Sequence, residues 1–153
     1  MAELARIEAV VALQGMDLLA HCKAEEILRI AAIASERSFD AGEIIYRPLE
    51  PAERLFCVVR GRVRLVAAEG AAWEVGPLQT FGVLEILSGR LRSEEATAAQ
   101  DTLALTVESE DFFDLLSNNI EVTRALFRYL LQRPAPPLGE EPDDATAGRN
   151  AMS

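Results

Sequence analysis

The hydrophobic pattern of this chain changes its period twice, and that change constrains the fold more than any other feature. From Glu36 to Val107, apolar residues alternate with polar ones in short runs, which glycine and proline interrupt at intervals of about ten residues. On both sides of this segment, the apolar residues recur at helical spacing instead. The sequence therefore predicts short β-strands in the middle of the chain and α-helices at both ends.

Two helices are expected before the strands and two after them. Apolar stripes run through residues 3–14, where Gly15 ends the first helix, and through residues 23–35. After the strands, Ser109 is expected to cap a third helix. A fourth helix should cover residues 120–132, with Val122, Leu126 and Leu130 along one stripe.

The expected fold class is mainly β, a jelly-roll-like β-roll or barrel of about eight antiparallel strands with two N-terminal and two C-terminal helices. Arg60-Gly61 lies between two alternating runs and predicts a tight hairpin turn, and Gln100-Asp101 should join the last two strands. One helical turn is expected after Phe81-Gly82, ending near Gly89.

Composition narrows the organisation and the partners. The chain has 153 residues, half of them apolar, which suits one domain, assigned to residues 1–133. Residues 134–153 are rich in proline, alanine, glycine and acids and are predicted to form a disordered tail or linker. A net charge of −10 argues against nucleic-acid binding, and no apolar run is long enough for membrane insertion.

Few residues are available for catalysis or metal binding. The chain has one histidine, His21, and two cysteines without metal-ligand spacing, Cys22 and Cys57. A reducing cytoplasm suits such cysteine usage. Asp111 and Asp114 lie where helix-start acids are expected. We therefore expect a cytoplasmic protein that is not an enzyme and that needs no metal or cofactor.

Several segments, taken in order, resemble one known family. GEIIYRP is similar to a strand that follows a Gly-Glu pair, RLFCVVRGRVRLV to a central hairpin, and WEVGPLQTFG to the approach to a phosphate-binding cassette. ATAAQDTLALTVESEDFFDLLSNN is similar to the strand pair and helix that follow the cassette. From about Leu18 to Leu131 the chain thus resembles the cyclic nucleotide-binding domain family, which implies a β-roll and a regulatory role.

The resemblance implies a ligand site in the cassette. In the family, backbone amides at a short helix start and one arginine bind the cyclic phosphate, and a glutamate directly after Phe-Gly binds the ribose hydroxyl. Here that glutamate position holds Val83, which leaves a buried hydroxyl unpaired at a cost of roughly 1–3 kcal/mol. The candidate ligand-binding residues are Phe81, Gly82, Val83, Leu84, Glu85, Arg92, Ser93 and Thr97. Phe81 is also expected to be a core anchor, and Gly82 a backbone position that needs room.

The arginine position has two possible registers. Counted from Phe81, Arg92-Ser93 occupies the family position, and Glu94 and Glu95 are two extra residues. Counted back from Ala96-Thr97, Glu94 replaces the arginine. Arg92 is then either a phosphate ligand, with Arg90 as a substitute, or a solvated loop arginine paired with Glu94 or Glu95. In both registers nearby carboxylates disfavour an anion.

Glu85 lies about 160° around the helix from position 83 and is either a displaced ribose acceptor or, as an acid on a short surface turn, a residue without a functional role. The predicted function is a non-catalytic regulatory module with an altered cassette that disfavours cyclic AMP and cyclic GMP. The alternatives are a protein-interaction or assembly domain with a vestigial pocket and a sensor of another small molecule, such as a small anionic ligand. A homodimer through residues 119–132 is a further expectation, because the apolar stripe of that helix must be covered.

Overall fold

The computed structural model describes residues 5–132, which form eight strands and five α-helices. Four of the helices and one 3-10 turn flank the strands. Before the strands come α1 (Arg6–Gln14), the turn (Asp17–Leu19) and α2 (Ala24–Ile33), and after them come α4 (Ser109–Asn118) and α5 (Ile120–Gln132). The remaining helix, α3 (Val83–Ser88), is inserted between strands. The strands are β1 (Ser35–Phe39), β2 (Ile44–Tyr46), β3 (Arg54–Arg60), β4 (Val63–Ala67), β5 (Ala72–Val75), β6 (Thr80–Phe81), β7 (Glu94–Ala98) and β8 (Thr102–Glu108).

The strands form two antiparallel sheets of four strands each. One sheet has the order β1-β8-β3-β6 and the other the order β2-β7-β4-β5. The prediction of about eight antiparallel strands with two helices at each end is confirmed, and the two sheets remain separate instead of closing into one barrel. The single helical turn after Phe81-Gly82 is also confirmed, as α3, which ends at Gly89.

The predicted hairpin at Arg60-Gly61 is wrong. β3 and β4 belong to different sheets, so the chain crosses from one sheet to the other at Gly61. Another change of sheet lies beside it, at Gln100-Asp101 between β7 and β8. A side chain at Gly61 would place its Cβ 2.5 Å from the carbonyl oxygen of Asp101. The alternation in the sequence indicated two strands here, but not which strands they pair with.

Apolar side chains form one cluster inside the roll and another between the roll and the helices. Inside the roll, Phe56 of β3 stacks on Phe81 of β6, with ring centroids 4.7 Å apart. The second cluster joins Leu55 and Leu105 of the first sheet to residues of all the flanking helices. Phe81 is therefore the core anchor that the sequence predicted.

Two details of the C-terminal helices differ from expectation. Ser109 is the first residue of α4 rather than its cap, and Glu108 holds the cap position without a side-chain hydrogen bond. In α5 the buried stripe includes Val122, Leu126 and Tyr129, whereas Leu130 is half-buried. The boundary at residue 133 and the predicted tail, residues 134–153, lie outside the described residues.

We predict that the contact between the two crossings is essential for stability. Gly61→Ala should lower the free energy of unfolding by at least about 3 kcal/mol, because the backbone has a positive φ and no space for a methyl group. Gly70→Ala is the matched control, since Gly70 has a similar φ but open surroundings, and should cost about 1 kcal/mol. Urea denaturation measures both. Equal losses would show that the packing of the crossings is unimportant.

Candidate functional site

A cavity of about 280 Å³ opens between the second sheet, α3 and α5. Five of the eight predicted ligand-binding residues line it without interruption, from Phe81 to Glu85, and Ser93 is a sixth. The remaining lining residues are Leu65, Ala67, Glu69, Ala71, Trp73, Val75, Thr80, Arg90, Glu94 and Tyr129. The cassette predicted from the sequence therefore does border a cavity.

The backbone at Gly82 allows the cassette to approach a buried arginine. Gly82 precedes α3 with a φ of +85°, and a Cβ there would lie 3.1 Å from the guanidinium of Arg92. Both the conformation and the close approach favour glycine. The predicted need for room at this position is confirmed.

Arg92 points into the protein and not into the cavity. Its side chain is 2% exposed and is absent from the cavity lining. Its Nη1 donates to the carbonyl oxygen of Gly82 at 2.9 Å, and its Nη2 donates to that of Arg54 at 2.6 Å. The guanidinium also lies over the ring of Tyr46, with 4.1 Å from Cζ to the ring centroid. The expectation of a solvated arginine paired with Glu94 or Glu95 is wrong.

Glu85 is the ionic partner of Arg92. Arg92 Nη1 lies 3.3 Å from Glu85 Oε1, and the Glu85 side chain is 7% exposed. The expectation of a surface acid is therefore wrong, although the helical rotation behind it is sound. Val83 packs into the cluster beneath the helices, whereas Glu85 lies on another face of α3 that Arg92 and Ser93 cover. Both faces of this short helix are buried.

A second carboxyl group, that of Glu94, is joined to the first through Ser93. Ser93 Oγ lies 2.7 Å from Glu85 Oε2 and 2.8 Å from Glu94 Oε1. Tyr46 donates its hydroxyl proton to Glu94 Oε2 at 3.0 Å. A serine hydroxyl carries one proton and can donate to only one carboxylate. The other short contact therefore favours a proton on one of the carboxyl groups.

The surroundings of Glu94 favour protonation at this carboxyl group. Burial raises the pKa of Glu94, and the neighbouring Glu85 carboxylate raises it further, against the lowering effect of its hydrogen bonds and of Arg92. A protonated Glu94 can donate to Ser93, which then donates to Glu85. The cluster of Arg92, Glu85 and protonated Glu94 is then neutral.

Glu94 and Glu95 belong to β7. This strand begins at Glu94 and pairs with β4 from Ala67–Glu94 to Val63–Ala98 without a bulge. Alternation along β7 turns Glu94 toward the interior and Thr97 away from it, opposite Arg64. Thr97 does not line the cavity, and its assignment to the site is corrected.

The sequence analysis missed several residues that build the site. Tyr46 supports the carboxyl cluster from β2, Trp73 lines the cavity from β5, and Tyr129 lines it from α5. They are separated from the cassette in the chain, so no local spacing could reveal them. The only signal in the sequence was Glu94, an acid that follows the candidate arginine by two residues.

Comparison with known proteins assigns the family. Residues 36–119 match the family model of the cyclic nucleotide-binding domain. The chain belongs to the cyclic nucleotide-binding domain family. This match covers the strands, the cassette and α4, and confirms the resemblance seen in the sequence. Domains of this family are typically regulatory and non-catalytic.

Two curated relatives and one solved structure illustrate the family. The chain is 32% identical over 107 residues to a cyclic nucleotide-gated potassium channel of Mesorhizobium japonicum, covering 70% of this chain and 30% of the channel. It is 30% identical over 134 residues to an NTE family protein of Mycobacterium tuberculosis, covering 84% of this chain and 23% of that protein. The chain thus spans less than a third of the length of either relative.

The solved structure is the regulatory subunit of a cAMP-independent protein kinase A from Trypanosoma brucei, in a variant bound to cAMP. It superposes with a TM-score of 0.72 at 25% identity, covering 84% of this chain and 48% of that one.

Within residues 5–132 no helix is long and apolar enough to cross a bilayer. The same described residues contain no group of acidic, histidine and cysteine side chains that could hold a metal ion.

We predict that the raised pKa of Glu94 makes the stability of the domain depend on pH. A carboxyl group whose folded pKa is raised above its ordinary 4.5 stabilises the fold at low pH and loses that contribution as the pH rises through the folded pKa. Glu94→Gln mimics the protonated form. The stability of the wild type relative to this variant should fall as the pH rises from about 4.5 towards neutrality.

Urea denaturation across this pH range measures the difference, and Glu95→Gln, on the outer face of the same strand, is the control. A difference between wild type and Glu94→Gln that stays constant with pH would contradict a raised pKa of Glu94.

Proposed function

We propose that this chain is a non-catalytic regulatory module whose cassette disfavours cyclic AMP and cyclic GMP. The observation that carries the proposal is the position of Arg92, which is buried against Glu85 while the carboxyl groups of Glu85 and Glu94 line the cavity. The group that the resemblance assigns to the phosphate is therefore already neutralised inside the protein.

Electrostatics disfavours a phosphodiester anion in this cavity. To reach a phosphate, Arg92 would have to leave two backbone carbonyl oxygens and the Glu85 carboxylate. Separating a buried ion pair leaves an uncompensated charge, which costs about 3–5 kcal/mol. A phosphate beside Glu85 and Glu94 would also meet carboxyl groups in place of hydrogen-bond donors, and repulsion in a buried site is weakly screened.

The ribose contact of the family is missing as well. Val83 is 4% exposed and packs with the apolar cluster under the helices, so its position offers no acceptor to a ribose hydroxyl. A cyclic nucleotide in the family's orientation would thus lose its phosphate ligand and its ribose ligand together. Both losses act against the same ligand.

The Trypanosoma brucei subunit supports the proposal. Its described complex with cAMP was obtained with three substitutions, one of which replaces a glutamate by alanine and another a threonine by arginine. In that protein the changes remove an acid and add a cation, which is the direction that an anion site requires. The channel and NTE relatives are much longer than this chain, so we propose that the module regulates an effector domain or a partner.

Isothermal titration with cyclic AMP and cyclic GMP tests the proposal. We expect no micromolar binding by the wild type or by Val83→Glu alone, which restores the ribose acceptor but keeps both acids. The triple variant Val83→Glu, Glu85→Ala, Glu94→Ala should gain at least about tenfold in affinity over Val83→Glu, because Arg92 is released and the repelling carboxyl groups are removed.

Circular dichroism should first show that the triple variant is folded, since Glu85→Ala leaves Arg92 without its ionic partner. Micromolar binding of either nucleotide by the wild type would refute the proposal. A folded triple variant that stays silent would show that the acids are not what excludes the nucleotide.

An interaction role is the second candidate, favoured by the outer face of α5. Phe127 and Leu131 are 58% and 84% exposed, and Ile120 at the helix start is also exposed. We propose that residues 119–132 mediate a homodimer, because the roll covers only the opposite stripe of this helix. Cys22 and Cys57 are both free thiols, in keeping with the cytoplasmic location expected from the sequence.

Size-exclusion chromatography with light scattering measures this association. The wild type should elute as a dimer, and Phe127→Glu with Leu131→Glu should be a monomer, since charges would be buried in the apolar contact. Leu49→Glu, at a 76% exposed position away from α5, should leave the dimer intact. A monomeric wild type at high concentration would rule out the homodimer.

A further inference from the structure

The cavity remains open although Arg92, the residue that the resemblance assigns to the phosphate, points away from it. Its volume of about 280 Å³ is near the lower end of small-molecule sites, which begin at about 300 Å³. No lining side chain fills it, and an exposed arginine, Arg90, stands on its rim. A vestigial pocket would be expected to collapse onto apolar side chains, because empty space forfeits packing contacts.

The polar side of the cavity consists mainly of acceptors. Glu85 and Glu94 contribute carboxyl groups. The hydroxyl of Ser93 lies within hydrogen-bond distance of both, so its proton is already used inside this cluster. Each carboxylate oxygen has two lone pairs, of which the contacts with Arg92, Ser93 and Tyr46 use only part. This side of the cavity therefore suits a ligand that donates hydrogen bonds and carries no negative charge.

The opposite side is apolar and includes an aromatic ring. Leu65 of β4 and Val75 of β5 flank Trp73, which is half-buried, and Tyr129 adds a second ring from α5. Flat heteroaromatic groups pack favourably on such rings. The two sides together call for a molecule with a planar apolar part and a neighbouring pair of hydroxyl donors.

We propose that this cavity binds an uncharged nucleoside, whose base packs beside Trp73 and whose ribose hydroxyls donate to Glu85 and Glu94. The inference rests on the proposed function, because a nucleoside is what remains of a cyclic nucleotide once the anion is removed. The two acids that repel the phosphate then serve as the ribose acceptors that Val83 cannot provide.

Adenosine and guanosine, each paired with its cyclic monophosphate, are the probes. Isothermal titration should show micromolar binding of at least one nucleoside and affinity at least about tenfold weaker for its cyclic monophosphate. Trp73 is the only tryptophan of the chain, so its fluorescence reports directly from the cavity. The 2′,3′-dideoxy form of the bound nucleoside, which lacks both donors, should bind at least about tenfold more weakly.

Glu94→Ala separates this site from a general effect on folding, because the two ligand classes should respond in opposite directions. Nucleoside affinity should fall at least about tenfold, whereas cyclic nucleotide affinity should rise or stay unmeasurable. Glu95→Ala, on the outer face of β7, should change neither. Equal binding of the dideoxy nucleoside, or an unchanged nucleoside affinity in folded Glu94→Ala, would overturn the proposal.

The two proposals fail in different ways. If the wild type binds neither nucleosides nor cyclic nucleotides, the nucleoside site is refuted while the exclusion of cyclic nucleotides stands. If the wild type binds cyclic nucleotides at micromolar affinity, the proposed function is refuted, and the nucleoside site falls with it because its acids do not repel the phosphate.

Discussion

The buried guanidinium of Arg92 holds together the part of the molecule on which the rest of the site depends. It joins the start of α3 through Gly82, the start of β3 through Arg54, and the ring of Tyr46 on β2. Its charge is balanced by Glu85 at 3.3 Å, so one side chain contacts β2, β3 and α3. Buried charges are tolerated when they are paired and hydrogen-bonded; both terminal nitrogens of Arg92 meet that condition, whereas its buried Nε has no hydrogen-bond partner among the described residues.

In the function proposed above, this arrangement disfavours an anion and favours hydrogen-bond donors. The ion pair keeps the Arg92 guanidinium out of the cavity, and the surroundings raise the pKa of Glu94. The cavity is bounded by the second sheet, by α5 and by the cassette, and Arg92 contacts the cassette at Gly82 and Glu85. Fold and ligand chemistry are thereby separated in this chain: the β-roll is that of the family, while a few cassette residues decide which ligand can enter.

Single positions show where prediction from the sequence succeeded and where it failed. Phe81 and Gly82 were predicted correctly because an aromatic core anchor and a glycine beside a close approach depend on local chain geometry. Glu85 and Arg92 were misplaced because charged residues are usually exposed, and only knowledge of the partner makes their burial favourable. Those partners come together only when the roll has formed.

The sequence by itself determined the helical ends, the eight short strands, the helical turn of the cassette and the family, because periodicity and motif order are local properties of the chain. Only the tertiary structure decided that the chain changes sheets at Gly61, since strand pairing is a long-range contact that alternation does not encode. The tertiary structure likewise decided that Arg92 pairs with Glu85 and that Glu94 joins Ser93 and Tyr46. The energy of a buried charge depends on its surroundings in space, and the sequence lists those surroundings without placing them.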